Sequence, residues 1–226
     1  MRPGLPSPAT WYEGRTSLDL LRGEAWAWIG LRSGDGLHRL HSDLLVALDR
    51  LLVELRWAGI RRLALSGAGW MTGQGHHFSA GADLHEVGAL DASSAEPFAR
   101  RGQRIMNHLL WPGWQSLTVI SGVAMGGGCD LALHGQERWA VAANELGKGG
   151  LRLAHPAAKH GILTGFGGTV RLPELLGRKG ADRLFRGFET WDEQTALQAG
   201  AAHRIVAPIG VADHAFEWLD PTGSRR

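Results

Sequence analysis

The sequence predicts an α/β fold, because short apolar segments typical of strands alternate with segments of helical periodicity. Residues 17–21 and 25–31 are separated by a short polar turn, which predicts an antiparallel hairpin. The leucines of Ser42–Trp57 recur at helical spacing and predict an amphipathic helix with Ser42 as its N-cap. A β-branched run at 118–120 then leads through three consecutive glycines into a further helical segment.

The same alternation continues along the rest of the chain. Further strands are predicted at 62–66, 117–123, 138–143 and 205–206. Further helices are predicted at 97–110, 127–134, 173–176, 179–186, 192–199 and 211–219. Two segments interrupt the pattern: a glycine-rich loop at 67–75, either a substrate wall or an inserted surface loop, and an inserted segment at 144–152.

The length and composition indicate one globular domain with a sizeable core. The chain has 226 residues, of which 44% are hydrophobic and 20% are charged. We expect a loose leader at 1–16, which contains three prolines, and a single core at 17–208. A shortened helical segment is expected at 209–226.

Charge and cysteine content argue against several classes of function. A net charge of +2 without a cluster of Lys or Arg gives no support for nucleic acid binding. No apolar run is long enough for a membrane span, so no membrane association is expected. The single cysteine, Cys129, excludes an intrachain disulfide framework, fits a reducing cytoplasm, and is expected to be a buried, inert thiol. The pair His76-His77 has no further ligand at a useful spacing, so no metal site is expected.

The most informative stretch is AMGGGCDLAL at 124–133. Consecutive glycines are costly in conformational entropy and are favoured where the backbone must approach another group closely. A helix that begins there presents unpaired N–H groups, and Asp130 in its first turn is placed to reach whatever they hold. The alternative is a packing corner whose aspartate merely favours the helix N-terminus.

Two further motifs flank this stretch, HFSAGADL at 77–84 and GFGGTVRLP at 165–173. In this order and spacing, the three motifs resemble the crotonase family, which includes enoyl-CoA hydratases and isomerases. The resemblance extends from about Trp26 to Val206. It implies a superhelix of repeated strand–strand–helix turns, assembled as homotrimers or hexamers, here with a shortened C-terminal helical region.

The resemblance also implies an oxyanion hole built from the backbone amides of Ala82 and Gly127. Such donors stabilise the negative charge that develops on a thioester oxygen, by roughly 3 kcal/mol each. Asp130 is implied to move the proton, at a position where the family's hydratases carry glutamate. Their second glutamate falls on Ala157 in one register and on Gly150 in the other, so it is lost in both.

Three residues are candidates to stand in for the missing glutamate: His155, Glu145 and His160. Histidine has a pKa suited to either an acid or a base. The resemblance places the CoA or phosphopantetheine arm of the substrate beside residues His38, Arg39, Leu40, Ala80 and Gly126. Because this arm belongs to the substrate, no separately bound cofactor is expected.

The expected reaction is double-bond isomerisation or (de)hydration of an enoyl thioester, carried by CoA or by an acyl-carrier protein. One carboxylate suits isomerisation, or decarboxylation of a malonyl-type thioester, better than efficient hydration, which needs two proton-handling groups. A third interpretation is a catalytically degenerate member that binds acyl thioesters or serves as an assembly subunit. The nucleophile elbow of serine hydrolases and the dinucleotide-binding fingerprint are both absent from the sequence.

Overall fold

The chain folds into two β-sheets with helices between and around their strands. The structure is a computed structural model, which describes residues 9–13, 16–72 and 77–221. The strands are β1 Ala9–Glu13, β2 Thr16–Arg22, β3 Trp26–Arg32, β4 Arg62–Gly67, β5 Gln115–Ile120, β6 Val123–Met125, β7 Glu137–Val141, β8 Arg152–Ala154, β9 Thr190–Trp191 and β10 Arg204–Val206. The helices are α1 Ser42–Trp57, α2 Gly69–Thr72, α3 Leu84–Gly88, α4 Ala95–Leu109, α5 Gly127–Leu133, α6 Gly168–Phe185, α7 Glu193–Gln198 and α8 Val211–Leu219. A short 3₁₀ helix, Pro156–His160, follows β8.

The larger sheet has the strand order β1-β2-β3-β4-β5-β7-β10. Its first three strands pair antiparallel, and every later pair of neighbours is parallel. Parallel neighbours require a crossover connection, and α1, α4, α5 and α7 lie on the four crossovers. The predicted α/β class and the hairpin of β2 and β3 are therefore confirmed.

The smaller sheet has the order β6-β8-β9, with β6 and β8 parallel and β8 and β9 antiparallel. Two isolated bridges hold the 77–84 motif beside it: Leu40 pairs with Ala82, and Ser79 pairs with Ala124 in β6. This arrangement brings the motif, the glycine-rich corner after β6 and the segment after β8 to one place in the fold.

The core is centred on α1, whose apolar face is buried as its leucine spacing predicts. Its buried residues are Leu44, Leu45, Ala47, Leu48, Leu51, Leu52 and Leu55. The helix bounds are the predicted ones, but the prediction of Ser42 as the N-cap was wrong. His41 is the N-cap, and its Nδ1 accepts a hydrogen bond from the Leu44 amide at 3.4 Å. The Ser42 amide instead donates to Glu86 in α3 at 2.9 Å.

Two element predictions differ from the structure at glycines. The predicted strand at 117–123 is divided, because Gly122 adopts a positive φ of 51° and turns the chain from β5 into β6 of the other sheet. The two short helices predicted at 173–176 and 179–186 belong to α6, which is kinked at Gly177 with φ 68° and ψ 166°.

The chain ends also differ in part from expectation. Within the predicted leader at 1–16, Ala9–Glu13 pairs with β2 as a regular strand, while residues 1–8 lie outside the described residues. The predicted helix α8 is present at Val211–Leu219. Its Phe216 packs edge-on against Trp28 of β3, with ring centroids 5.1 Å apart. In the described ranges, no helix combines the length and hydropathy that a bilayer span requires.

Candidate active site

A cavity of about 450 Å³ opens where the three sequence motifs meet. Its wall is formed by α3 and α4, the glycine-rich corner, the segment after β8 and the segment 162–166. The lining residues are Ala80, Ala82, Leu84, Val87, Leu90, Ala95, Phe98, Ala99, Met125, Gly126, Gly127, His155, Pro156, Ala157, Ile162, Leu163, Thr164, Gly165 and Phe166. Among these side chains only His155 and Thr164 carry hydrogen-bonding nitrogen or oxygen, so the cavity suits a ligand that is mostly apolar.

The glycine-rich corner allows a close backbone approach, as the sequence predicts. A Cβ on Gly128 would overlap the carbonyl oxygen of Ser79, so only glycine lets α5 begin against the 77–84 motif. Gly81 has φ 91°, and a Cβ there would overlap the Met125 carbonyl and lie 3.1 Å from the Gly127 nitrogen. The backbone beside Ala82 therefore packs directly on the start of α5.

The amides of Ala82 and Gly127 both lie at the cavity wall, and neither donates a hydrogen bond to another group in the described part of the chain. Their neighbours differ: the Gly81 amide donates to Ser79 Oγ at 3.1 Å, and the Gly126 amide donates to the Ala154 carbonyl at 3.0 Å. Gly127 is the first residue of α5, where the helix itself supplies no acceptor. Two unpaired N–H donors thus border one apolar cavity.

The segment that carries Ala82 is held in place on both sides. Ser79 Oγ donates to the His38 carbonyl at 2.7 Å, and Leu40 N donates to the Gly81 carbonyl at 2.8 Å. Asp83 then caps α3, because its carboxylate accepts from the His85 and Glu86 amides at 2.9 and 3.3 Å. The Asp83 side chain is therefore engaged in capping, which leaves the backbone of its neighbour to face the cavity.

Asp130 occupies a different environment from the one expected. Its residue surface is 0% exposed, and it does not line the cavity. One carboxylate oxygen, Oδ1, lies 3.3 Å from His155 Nε2, and the other, Oδ2, accepts a hydrogen bond from the Thr164 hydroxyl. A Cβ on Gly168, the first residue of α6, would overlap the carboxylate, so that glycine makes room for it. Asp130 therefore sits behind His155 and Thr164, both of which reach the cavity.

His155 is brought to Asp130 by the fold, although 25 residues separate them in the sequence. The residue is 1% exposed, and its ring packs on Phe185 of α6 with centroids 4.6 Å apart. An ionised carboxylate only accepts, so Nε2 carries the proton in the tautomer that bonds to Asp130. The other nitrogen, Nδ1, is buried and has no hydrogen-bond partner among the described residues.

Thr164 is the functional candidate that sequence reasoning missed. Its hydroxyl donates to Asp130 and accepts from the Phe166 amide at 3.2 Å, so both of its hydrogen-bonding roles are occupied. The residue directly precedes the 165–173 motif, and that proximity was the one available signal. Nothing in its spacing indicates that it contacts Asp130, 34 positions earlier.

Of the two registers for the absent second carboxylate, the structure favours the first. Ala157 lines the cavity from the 3₁₀ helix, whereas Gly150 packs against Ala143 in the turn before β8. The cavity therefore presents a methyl group at this position. Among the other candidates, Glu145 is exposed in the turn after β7, and the side chain of His160 lies outside the described part.

The residues expected beside the CoA arm separate into two groups. Ala80 and Gly126 line the cavity, but His38, Arg39 and Leu40 do not. Leu40 is fully buried in the core, and Arg39 forms an ion pair with Asp35 at the surface.

His38 is buried as well, at 3% exposure, and its Nδ1 lies 3.2 Å from Ser33 Oγ. Burial, and secondarily the charge of His77, lowers the pKa of His38 to about 4. Of the three residues at 38–40, only Arg39 therefore exposes a charged side chain.

Cys129 is buried beside the site and not placed to react. Burial, with a smaller contribution from the Asp130 charge, raises the pKa of its thiol well above the usual value. A thiol in this state is a poor nucleophile.

Residues 67–222 match the family model described as enoyl-CoA hydratase/isomerase. The chain belongs to this family. The crotonase resemblance of the three motifs is thereby confirmed.

A short-chain-enoyl-CoA hydratase of Clostridium acetobutylicum is 28% identical over 182 residues, covering 80% of this chain and 65% of the relative. A crotonyl-CoA hydratase of Syntrophomonas wolfei is 32% identical over 139 residues, covering 61% of this chain and 51% of the relative. The chain thus spans half to two thirds of the length of these relatives.

Solved structures agree with the predicted fold. The Pseudomonas aeruginosa protein DspI superposes with a TM-score of 0.77 at 30% identity, covering 92% of this chain and 75% of that one. An enoyl-CoA hydratase structure from Bacillus anthracis gives a TM-score of 0.78 at 25% identity, covering 92% and 76%. The crotonase-like fold class is therefore confirmed.

Proposed function

We propose that this chain isomerises the double bond of an enoyl thioester, with an oxyanion hole at Ala82 and Gly127 and one proton-transferring unit at Asp130 and His155. The observation that carries the proposal is the pair of unpaired amides on a cavity whose one ionisable lining side chain is His155. Family membership supports the chemistry on acyl thioesters.

The two amides act on the thioester oxygen. When the α-proton leaves, negative charge moves onto that oxygen. The Ala82 and Gly127 N–H groups stabilise this charge by donating hydrogen bonds to the oxygen. Loss of one such donor costs about 2.7–4 kcal/mol of transition-state stabilisation in well-studied cases. Because both donors are backbone groups on packed segments, little reorganisation is needed when the enolate forms.

A single proton-transferring unit suffices for isomerisation. The C2–H bond of a 3-enoyl thioester breaks, and its electron pair delocalises into the dienolate. The same proton then returns to C4, which forms the C4–H bond and leaves the double bond between C2 and C3. Hydration also requires activation of water, a task for a second group. Ala157 supplies no such group, which favours isomerisation over hydration.

Decarboxylation of a malonyl-type thioester is less well supported. Within the described part of the chain, no Lys or Arg side chain lines the cavity, so the substrate carboxylate would lose its hydration without gaining a cationic partner from these residues. The methyl group of Ala157 also suits a degenerate acyl-thioester binder, which remains the second candidate.

The carrier of the acyl group is proposed to be CoA, with an acyl-carrier protein as the alternative. The Clostridium and Syntrophomonas relatives are named short-chain-enoyl-CoA hydratase and crotonyl-CoA hydratase, and both names support CoA. Assembly as a trimer or hexamer stays a prediction, which sedimentation velocity would test.

The test is incubation of the protein with 3-enoyl-, 2-enoyl- and malonyl-type CoA thioesters. Chromatography with ultraviolet detection resolves the conjugated product, and mass spectrometry detects added water or lost CO₂. We expect conversion of the 3-enoyl thioester and at most slow hydration of the 2-enoyl thioester. Binding of all three without conversion would favour the degenerate binder and contradict the proposal.

A further inference from the structure

We infer that His155 is the residue that carries the proton, and that Asp130 and Thr164 are positioning residues that act through it. The inference rests on the proposed function and assigns different roles to the members of its proton-transferring unit. It departs from the expectation, taken from the motif alone, that the Asp130 carboxylate meets the substrate directly.

Asp130 lacks access to the substrate. Both Asp130 and His155 are buried, but only His155 lines the cavity, and both carboxylate oxygens of Asp130 already have side-chain partners. The start of α6 also confines it, because the Gly168 Cα lies against the carboxylate with no room for a further carbon. A rotation away from His155 and Thr164 would break both contacts.

His155 has the complementary features. It lines the cavity, and one of its two ring nitrogens faces the carboxylate at 3.3 Å. If Nε2 donates its proton to Asp130, the lone pair lies on Nδ1, the nitrogen that has no partner in the described residues. An imidazole in this state takes up a proton on Nδ1 and gives it back, while the carboxylate compensates the transient positive charge.

Thr164 holds the carboxylate in the orientation that this relay requires. Its hydroxyl accepts the Phe166 amide proton, so the hydroxyl proton is directed to Asp130 Oδ2. With Oδ2 engaged in this way, Oδ1 is presented to His155. The relay therefore combines residues from α5, the segment after β8 and the segment before α6.

The first experiment compares His155→Ala with Asp130→Asn and the double variant, in the 3-enoyl-CoA isomerisation assay. We expect kcat of His155→Ala to fall by at least about 100-fold and added imidazole to restore part of it. We expect Asp130→Asn to lower kcat by up to about 10⁴-fold, as in hydrolytic triads where the wrong tautomer results. Because Asp130 acts through His155, the Asn substitution should cost no further activity in the His155→Ala background.

A matched pair tests Thr164. Thr164→Val keeps the shape of the side chain and removes the hydroxyl, whereas Thr164→Ser keeps the hydroxyl. One hydrogen bond to a charged group corresponds to a loss of about 10- to 100-fold. We expect Val to lower kcat by that factor with KM little changed, and Ser to remain within about threefold of the unsubstituted protein. Equal losses in both variants would indicate a packing role only and overturn the assignment.

A spectroscopic readout separates failure of this inference from failure of the proposed function. In ¹⁵N NMR of the unsubstituted protein, His155 should show a proton on Nε2 and none on Nδ1, whether or not the chosen thioester is turned over. The opposite tautomer overturns the inference. So does an active His155→Ala variant that loses its activity on addition of Asp130→Asn. Absence of isomerisation in the unsubstituted protein, with the expected tautomer present, refutes the proposed function and leaves the positioning role supported.

Discussion

The two halves of the candidate site are built in different ways. The proposed oxyanion half consists of backbone amides, those of Ala82 and Gly127, on two segments that pack main chain to main chain. The proposed proton-transferring half consists of three side chains, Asp130, His155 and Thr164, from three separate segments. A backbone site depends on small residues in a row, which a sequence displays directly. A side-chain site depends on which distant segments meet, and its members can change roles while the local motif stays recognisable.

A large effect is expected where the proposed oxyanion half loses a donor. Gly127→Pro removes one N–H at the first helical position of α5, where proline is tolerated in helices. We expect kcat for isomerisation to fall by about 10²- to 10³-fold, the usual cost of one oxyanion donor. The control is Gly127→Ala, which meets the same Phe166 ring but keeps the N–H. Similar losses in both variants would mean that crowding, and not the missing donor, causes the effect.

The next effect concerns the proton-transferring half alone. In Gly168→Ala the new Cβ overlaps the Asp130 carboxylate and must displace it from His155. A displacement of about 1 Å costs on the order of 100-fold in rate, while substrate binding, measured by calorimetry with a non-reactive thioester, should change little. Thr169→Ala alters the neighbouring exposed residue of α6 and serves as the matched control. Unchanged kcat in Gly168→Ala would show that the proposed proton transfer tolerates displacement of the Asp130 carboxylate.

A gain of function tests why the site lacks a second carboxylate. Ala157→Glu places a carboxylate at the cavity wall, at the position that the motif register assigns to the second glutamate. We expect hydration of 2-enoyl-CoA to rise about tenfold, below the usual 10²- to 10⁴-fold contribution of a general acid or base, because the new group is not held by neighbours. Gly150→Glu is the control, since that position lies away from the cavity. A rise in the control alone would reverse the choice of register.

The smallest effect on turnover is expected from His38, and its main effect is on stability. The His38 carbonyl accepts a hydrogen bond from Ser79, in the segment that carries Ala82. Burial, with the charge of His77, lowers the pKa of His38 from 6.5 to about 4. Between these values the unfolded chain binds the additional proton, so the free energy of unfolding falls as the pH drops from 6.5 to 4. The loss amounts to about 3 kcal/mol at most.

His38→Asn removes the titrating group and suits the positive φ of 48° at this position. Urea unfolding of both proteins across this pH range measures the effect. The free energy of unfolding should change less steeply with pH in the variant, because the variant lacks the contribution of His38. Parallel slopes would exclude His38 as a source of acid lability. Other buried histidines, such as His134, remain in both proteins and cancel in the comparison.

Much of the fold follows from local patterns. The leucine spacing of Ser42–Trp57 predicts the bounds of α1. Errors arise where one backbone angle or one distant partner decides. Gly122 redirects a continuous apolar run into a second sheet, and Glu86 takes the Ser42 amide. Neither feature has a periodic signal in the sequence.

By itself, the sequence determined the family and the α/β class, because the motifs and periodicities that show them extend over a few consecutive residues. The two backbone amides of the proposed oxyanion hole were implied by the family resemblance. Which side chains meet at the site was decided by the tertiary structure alone. Asp130 lies in a recognisable motif, but whether its carboxylate meets the substrate depends on Thr164 and His155, which follow it by 34 and 25 positions. Such a role is set by which groups share a buried volume, and no local pattern encodes that volume.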